Sequence, residues 1–576
     1  MKIILGLNTF HADTSACLIM NDNIVAAIEE ERINRKKHST DFPINSINEC
    51  LKIANISFKD ITDVCINSDP TQNLHIKFIH FLKNLEFKKI NNLFFNRFKN
   101  KTNLKKTLRE NFELNHKLKI NNIEHHLSHL SSSFYASGFD NAIGLSIDGS
   151  GDFSSLTVAE CHSNEIIIKK RIYFPNSLGL LYQGMTQLIG FNNYGDEYKL
   201  MGLAPYGKPI FENKIKSKIF NDTSELFSLN LKYFNHHKLD FKYDISENIK
   251  IDNILSSDFT KFIKNESQNI EKIDEFKRNI SSSTQKIFED CFKKILKYLK
   301  ELNFSKNIIY AGGCSLNSSA NNILLNDNFF QKIFIPFAPA DNGGSIGSAL
   351  FVSNSYGIKI KNIQSPFLGN KYSNSEVEDI LNFYKTKYDL KIKKFNSFDE
   401  LSKKAISYIT NNGVIGWFQG RMEFGPRSLG NRSILADPRD KNIKDLINKK
   451  IKRRENFRPF APSVLKEYQN EWFEENFDNI YMSSVMKVKE EKINFIPAVV
   501  HVNKTSRVQT VNKKFNLRFY ELINSFYKET GVPMLLNTSF NENEPIVRTP
   551  NEALDCLIRT DMDALFINDF YISKLK

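Results

Sequence analysis

Two stretches of this chain share one pattern. Residues 1–30 read as three strands: KIILGLN, then SACLIM, then NIVAAIEEE after the turn Asn21-Asp22-Asn23. The polar turn TFHADT separates the first two. Residues 142–174 repeat this order. AIGLSID ends at Asp148 and the turn Gly149-Ser150-Gly151-Asp152; SSLTVAEC follows, then the turn His162-Ser163-Asn164-Glu165, then EIIIKKRIYF. Short apolar runs rich in Ile, Leu and Val, closed by Gly, Asn and Asp, predict strands and tight turns. The repetition predicts a duplicated α/β architecture, with a polar first turn at a strand end in each half.

In this respect the chain resembles the duplicated actin-like fold of sugar kinases, whose two first turns face each other across a nucleotide cleft. The rest of the first 355 residues fits that plan. NIIYAGGCSLNSSANNIL reads as strand, Gly312-Gly313 and helix start, where an open α/β sheet receives a nucleotide on free backbone N–H groups. FIPFAPADNGGSIGSALF adds a second glycine loop with Asp341 at its mouth. Residues 31–122 read as helical and basic. The part from Ile76 to Arg109 interleaves Phe and Leu with Lys and Arg, as a solvated helical face or a membrane-surface helix does. The linker falls in 355–372. The predicted domains are 1–355 and 373–576, the second with its own alternating helices and strands.

The second domain carries the most basic passage, GWFQGRMEFGPRSLGNRSILADPRDKNIKDLINKKIKRRENFRPFAPSVLKE. Arginine among Gly, Pro, Ser and Asn suits phosphate, since a guanidinium grips it bidentately and glycine lets backbone come close. The formal net charge of +14 agrees with an anionic ligand but does not choose one. The seven cysteines form no CxxC pair, which argues against a zinc ribbon or disulfide scaffold and for a reducing cytoplasm. MKIILGL is too short for a signal peptide, and no run approaches the ~20 apolar residues of a spanning helix.

Three constellations carry chemistry. His125 and His129 lie four apart on one predicted helix face, and Asp148 and Asp341 stand at two loop mouths. Together they would suit iron(II), manganese or zinc; apart they are a helix-start histidine pair and structural turn aspartates. His11, at a strand-end turn, is either a general base for a hydroxyl or a turn histidine bonded to backbone. Arg427, Lys452, Arg507 and Ser539 lie in three separate segments; a fold that converges them would hold a triphosphate or an acyl phosphate.

With these segments in view, the chain resembles the O-carbamoyltransferases of the nodulation-factor and tobramycin type. The resemblance rests on HADTSACL, HHLSHLSSSF, LSIDGSGD, YKLMGLAPYG, AGGCSLNSSANN, PFAPADNGGSIGSAL, FQGRMEFGPRSLGNRSILADPRD, IKRRENFRPFAPSV, RVQTV and LLNTSFNENEPIVRTPNEALDC. It implies an actin-like transfer domain followed by an α/β domain like threonylcarbamoyl-adenylate synthase. It implies that carbamoyl phosphate and ATP, with magnesium, form carbamoyl-adenylate, whose carbamoyl group passes to a hydroxyl of a sugar, glycan precursor or natural product. By motif, His125, His129, Asp148 and Asp341 look like ligands of a divalent metal, iron(II) being usual, and His11 like the base. Arg427, Lys452, Arg507 and Ser539 look like the ATP and carbamoyl phosphate site, and Gly312, Gly313 and Asn317 like carbamoyl-adenylate contacts. Ala12 stands between His11 and Asp13, where some relatives join His directly to Asp. A cytoplasmic protein without nucleic acid is expected, with a homodimer as one option for its assembly. The alternatives are a tRNA-modification-type carbamoyl transferase and a basic nucleotide- or nucleic-acid-binding protein.

Overall fold

The apolar runs pair in the order that the repetition predicts. In a computed structural model, residues 2–84, 104–223, 225–238, 241–244, 249–267, 272–361 and 363–575 are described. They divide into two units: 1–34 with 38–364, and 35–37 with 365–576.

In unit one, β1 (Ile3–Asn8), β2 (Ser15–Met20) and β3 (Asn23–Glu29) form an antiparallel meander, with Ile3 opposite Met20 and Asn8 opposite Ser15. β4 (Asp63–Ile66) joins β1 in parallel, and β5 (Lys119–Asn122) joins β4, giving the order β3-β2-β1-β4-β5. The second sheet is built alike. β6 (Asn141–Gly151), β7 (Ser154–His162) and β8 (Glu165–Tyr173) form its meander. β9 (Asn307–Ala311) and β10 (Lys332–Phe334) extend it in parallel, in the order β10-β9-β6-β7-β8. Matching order and strand directions in the two sheets make unit one the duplicated actin-like fold.

β4 and β5 correct the expectation that residues 31–122 are helical. DVCI is four fully buried residues and KINN is a polar edge strand, so neither carries the alternation that marks a half-buried strand. Of the basic stretch 76–109, residues 85–103 lie outside the described residues; helices span Leu74–Asn84 and Leu104–Asn111 on either side. No helix among the described residues is long and apolar enough to cross a membrane.

Four helices position the site. α1 (His125–Ser137) follows β5, and α2 (Ile273–Leu302) precedes β9. α3 (Ser318–Leu325) and α4 (Gly344–Ser355) follow the two glycine loops. α4 packs on β1 and on α1, so an element of the second half lies on the sheet of the first. Two glycines allow it. A Cβ on Gly6 would lie 1.9 Å from Ser345 O, and one on Gly347 would lie 1.9 Å from Ser128 O. Backbone cannot move aside as a flexible side chain can, so helix and sheet would have to part.

Unit two is a mixed eight-stranded sheet. β11 (Leu390–Lys394), β12 (Ile415–Phe418), β13 (Arg432–Ala436), β14 (Ala461–Leu465), β15 (Gln509–Val511), β16 (Met534–Ser539), β17 (Ala564–Ile567) and β18 (Phe570–Lys574) run in the order β11-β18-β17-β12-β13-β16-β14-β15. α5 (Leu517–Thr530) buries Phe519, Leu522, Ile523 and Phe526, spaced 3-1-3 as an amphipathic face requires. The central strands β12 and β17 are nearly continuous apolar runs, as strands covered on both faces are.

Gly347→Ala is expected to destabilise the protein by about 1–3 kcal/mol, the cost of overpacking. Ser355→Ala, at the end of the same helix, serves as the neutral control. Equal urea midpoints for the two variants would refute the close α1–α4 approach.

Candidate functional site

In unit one the ends of β1 and β6 and the starts of α1 and α4 meet. α1 begins on the Glu124 cap, whose side chain accepts the Leu127 N–H at 2.8 Å and pairs with Arg171 at 2.9 Å. Asp152 Oδ2 accepts the His125 N–H at 2.9 Å, and glycine at 151 leaves room for the His125 ring, which a Cβ there would meet at 2.0 Å. His125 and His129, one turn apart, turn their Nε2 atoms toward each other at 3.0 Å. Asp148 Oδ2 lies 3.1 Å from His125 Nε2 and 3.0 Å from His129 Nε2; Asp341 Oδ1 lies 3.4 Å from each. One ligand atom from each of the four residues falls within 4.8 Å of the others.

This donor set fits a divalent cation. Two imidazole nitrogens facing each other at hydrogen-bond distance can share only one proton. Asp341 Oδ1 is buried with no hydrogen-bond partner among the described residues. Two imidazoles and two carboxylates are ligands of borderline metals. The electrostatics agree. Burial opposes protonation of His125, but Asp148 and Asp341 outweigh it and hold its pKa well above the ordinary imidazole value. Burial opposes ionisation of Asp341, but His11, His125 and His129 hold its carboxyl well below the usual range. His126 stands apart from the cluster, its Nδ1 2.9 Å from Ser146 Oγ. Burial pushes its pKa down to about 4, so it is neutral.

His11 lies on the β1–β2 loop with its Nδ1 2.8 Å from Asp341 Oδ2. Asp341 therefore faces the imidazole pair with one oxygen and His11 with the other. Gly312 and Gly313 lie beside Asp148, whose Oδ1 accepts the N–H of Gly149 at 2.7 Å and of Gly313 at 3.3 Å. Gly312 has φ +87°, and a Cβ there would lie 2.3 Å from Ile147 O. Asn317 caps α3 through Ala320 N–H and forms a reciprocal amide pair with Gln285, at 3.1 and 3.0 Å. Tyr182 donates to the same Gln285 oxygen at 2.8 Å. Gln285 and Tyr182 were not among the sequence candidates; Gln285 comes from α2 and Tyr182 from a separate helix, Leu178–Leu188.

In unit two the structure separates arginines that look alike in sequence. Arg432 is fully buried, stacks 3.5 Å over Phe418 and donates to the carbonyls of Gln419, Asn431, Asn370 and Gly420. Arg421 donates to the carbonyls of Gly369 and Leu368. Arg439 grips Asp437, and Arg453 pairs with Glu542. These four hold the loop and its surroundings, which corrects the reading of the whole basic passage as phosphate-binding. Glu423 Oε1 accepts the N–H groups of Leu429 and Asn431 at 2.8 and 2.7 Å, fixing the loop that carries Arg427. Arg507 is different. Burial, then the charges of Arg427 and Arg454, push its pKa well below the usual arginine value, and its Nε is buried with no hydrogen-bond partner among the described residues. Cations crowded in this way are relieved by an anion. Lys452 is also buried. Its Nζ donates to Ser539 Oγ at 3.2 Å and to the main-chain and side-chain oxygens of Asn541 at 2.8 and 2.6 Å, so it clamps the Ser539–Asn541 segment. Arg427, Lys452, Arg507 and Ser539 all belong to unit two.

A second group, Asp13, Glu31 and His38, was missed in the sequence because its members lie in three separate segments. His38 Nδ1 lies 2.8 Å from Asp13 Oδ1, and the His38 N–H donates to Glu31 Oε2 at 2.9 Å. Burial opposes the charge on His38, but Asp13 and then Glu31 outweigh it and raise its pKa to about 9.

Comparison with known proteins follows the same division. A family model described as Carbamoyltransferase N-terminus matches residues 3–350, and one described as Carbamoyltransferase C-terminus matches residues 406–574. Nodulation protein NolNO of Sinorhizobium fredii is 35% identical over 587 residues, covering 98% of this chain and 80% of that protein. The uncharacterized protein sll1178 of Synechocystis is 35% identical over 619 residues, covering 100% of this chain and 97% of that protein. The 3'-hydroxymethylcephem-O-carbamoyltransferase of Amycolatopsis lactamdurans is 31% identical over 264 residues, covering 45% of this chain and 46% of that protein.

The raised pKa of His38 has a measurable consequence. Its folded value, about 9, lies above the ordinary imidazole value of about 6.5. The Asp13–His38 pair therefore contributes its full stability below pH ~6.5 and loses it as pH rises through about 9. The urea midpoint should fall across that window, and His38→Gln should flatten the fall. A wild-type profile as flat as that of the variant would remove the ion pair from the account.

Proposed function

This chain belongs to the carbamoyltransferase family and is an enzyme of carbamoyl transfer; from that premise we propose how its two units divide the work. Unit two binds ATP and carbamoyl phosphate, with magnesium; water converts carbamoyl phosphate to carbamate and inorganic phosphate, and the carbamate oxygen displaces pyrophosphate from ATP to give carbamoyl-adenylate. Unit one passes the carbamoyl group to a hydroxyl of a small-molecule acceptor, a sugar or glycan precursor by analogy with relatives named for nodulation and for a cephem alcohol. The domain division proposed is 1–355 for transfer and 373–576 for adenylation. The observation that carries the reading is the convergence of His125, His129, Asp148 and Asp341, two from each half of the duplicated fold, beside His11.

The chemistry calls for both units. Carbamoyl phosphate is a weak acylator of a neutral hydroxyl, and the adenylate supplies a better leaving group. In unit two, Arg427 and Arg507 meet the phosphates with forked donors, and Ser539 adds a hydroxyl. Lys452 holds Ser539 in place from below. Burial keeps the Lys452 pKa well below the ordinary lysine value, so its bonds to neutral oxygens form at little charge cost.

In unit one, His125, His129, Asp148 and Asp341 would hold a divalent metal, iron(II) by resemblance, which when bound supplies a Lewis acid and a template for the phosphate of the adenylate. Asp341 Oδ2 lies 2.8 Å from His11 Nδ1 and positions the ring, and His11 acts as the base for the acceptor hydroxyl. The Gly312-Gly313 turn has no side chains, so the adenylate can come close to backbone there, while its N–H groups hold the turn through Pro339 O and Asp148 Oδ1.

Purified protein incubated with ATP and carbamoyl phosphate, without acceptor, is expected to release pyrophosphate and form carbamoyl-adenylate, detected by mass spectrometry. Product that forms without either substrate, or no product from folded, metal-loaded protein, would refute the reading. Arg507→Gln should slow pyrophosphate release by about 100-fold or more, as loss of a charge-stabilising donor does, and should spare transfer from supplied carbamoyl-adenylate. His129→Ala should do the reverse and should lower bound iron, measured by elemental analysis after dialysis.

A further inference from the structure

The segments that carry the expected cations of unit two also carry a polar network that none of the roles above uses. Asn537, Gln509 and Ser463 are buried on β16, β15 and β14. The Asn537 amide Nδ2 donates to Ser463 Oγ at 2.9 Å, Gln509 Oε1 at 3.0 Å and Ser428 O at 3.2 Å. Ser463 Oγ donates to Gln509 Oε1 at 2.6 Å, and Gln509 Nε2 donates to Leu429 O at 3.0 Å. Every expected anion-binding segment reaches this network. Arg427 immediately precedes Ser428, Arg507 precedes Gln509 by two residues, and Ser539 follows Asn537 by two on the same strand. Residues two apart on a strand share a face, so Asn537 and Ser539 point the same way.

The network also fixes which way the Asn537 amide points. Gln509 Nε2 must meet the Leu429 carbonyl, which leaves Gln509 Oε1 as an acceptor. The Ser428 carbonyl can only accept. The nitrogen of Asn537 must therefore face both, and turning the amide over would set oxygen against oxygen. Its oxygen faces away, and that Oδ1 is buried with no hydrogen-bond partner among the described residues, although Asn537 is 1% exposed. A second buried polar atom without a partner belongs to the neighbouring loop, Ser428 Oγ. A buried acceptor left empty costs about 1–3 kcal/mol, so a network that holds one in place points to a ligand that fills it.

The ligand must join an anion, for Arg427 and Arg507, to a neutral N–H donor, for Asn537. Carbamoyl phosphate has both, on adjacent groups. We propose that Asn537 Oδ1 accepts the amide N–H of the carbamoyl group and is the residue that selects carbamoyl over other acyl phosphates, with Gln509 and Ser463 as positioning residues for it. This deepens the reading of unit two as the carbamoyl-adenylate site and rests on it. Acetyl phosphate tests the contact directly, because it keeps the phosphate and the carbonyl and replaces the amide by methyl. A site whose buried acceptor goes unfilled rejects such an analogue.

The experiment compares the two acyl phosphates in the ATP-dependent pyrophosphate assay and in calorimetric titration of the full-length protein. Wild type is expected to bind carbamoyl phosphate at least about tenfold more tightly than acetyl phosphate. Asn537→Leu should raise KM for carbamoyl phosphate by at least about tenfold, leave KM for ATP within about twofold and abolish the preference over acetyl phosphate. Gln509→Leu should act in the same direction more weakly, and Gln509→Glu, which keeps the Oε1 acceptor, should restore part of the preference. Equal binding of the two acyl phosphates by wild type overturns the proposal, and this measurement needs no variant to fold. A rise in KM for ATP alone in Asn537→Leu also overturns it, by assigning the acceptor to the adenine amine. Absence of any pyrophosphate release by wild type would instead overturn the adenylation reading.

Discussion

Asp341 divides its two oxygens between two tasks, and the site in unit one depends on that division. One oxygen faces the imidazole pair of α1 at 3.4 Å; the other lies 2.8 Å from His11. Neither half of the duplicated fold could build this alone. His11 and the α1 pair come from the first half, Asp148 and Asp341 from the second. They meet because α4 lies on the first sheet, and α4 can do so because residues 6 and 347 are glycines. Two backbone contacts with no Cβ between them thus control where a carboxylate stands. Burying two carboxylates among three imidazoles is costly for each group taken singly. Mutual pairing offsets part of that cost, and the Asp341 oxygen that lacks a hydrogen bond shows where the pairing is incomplete without a cation.

The features readable from the sequence were those with a local period. The two meanders announce themselves by short apolar runs and Asn-, Asp- and Gly-bearing turns. His125 and His129 announce themselves by a four-residue spacing that any helix turns into a shared face. Asp148 was readable as the last residue of a strand before a glycine turn. β4 and β5 were not readable, because a four-residue parallel strand has no alternation to display, and their sheet positions depend on strands far away in sequence. The Asp13–His38 pair is likewise tertiary, since the β1–β2 loop and the segment after β3 meet only when the sheet has formed.

Arginine shows where sequence reading stops. Arg427 and Arg432 sit five residues apart in the same Gly-, Pro- and Asn-rich passage, and nothing local tells them apart. Arg432 begins β13, where its guanidinium meets a ring and four carbonyls and becomes part of the framework. Arg427 lies on the loop before it, whose backbone Glu423 and Gln509 hold, close enough to Arg507 to depress that residue's pKa. A strand boundary separates the structural cation from the proposed binding cation. Lys452 shows the same limit in another form, since only the folded chain reveals that its hydrogen-bond acceptors are all neutral oxygens.

The two units are unsatisfied in opposite senses. Unit one gathers imidazoles and carboxylates whose protons are held by mutual pairing and whose remaining acceptor faces the centre of the group. Unit two gathers guanidinium groups whose burial and repulsion lower the pKa of Arg507, and a carboxamide whose oxygen has no donor among the described residues. Each arrangement is least favourable when nothing is bound, because buried charge and buried polar atoms lose water without gaining a partner. On the proposed reading, a cation completes the first and an anion that also carries an N–H group completes the second. On that reading, folding energy that would otherwise have stabilised the empty protein is held in reserve for ligand binding. The amide network of Asn537, Gln509 and Ser463 keeps that reserve in one geometry, since no rotation of the Asn537 side chain could satisfy its oxygen without stranding the carbonyl of Ser428.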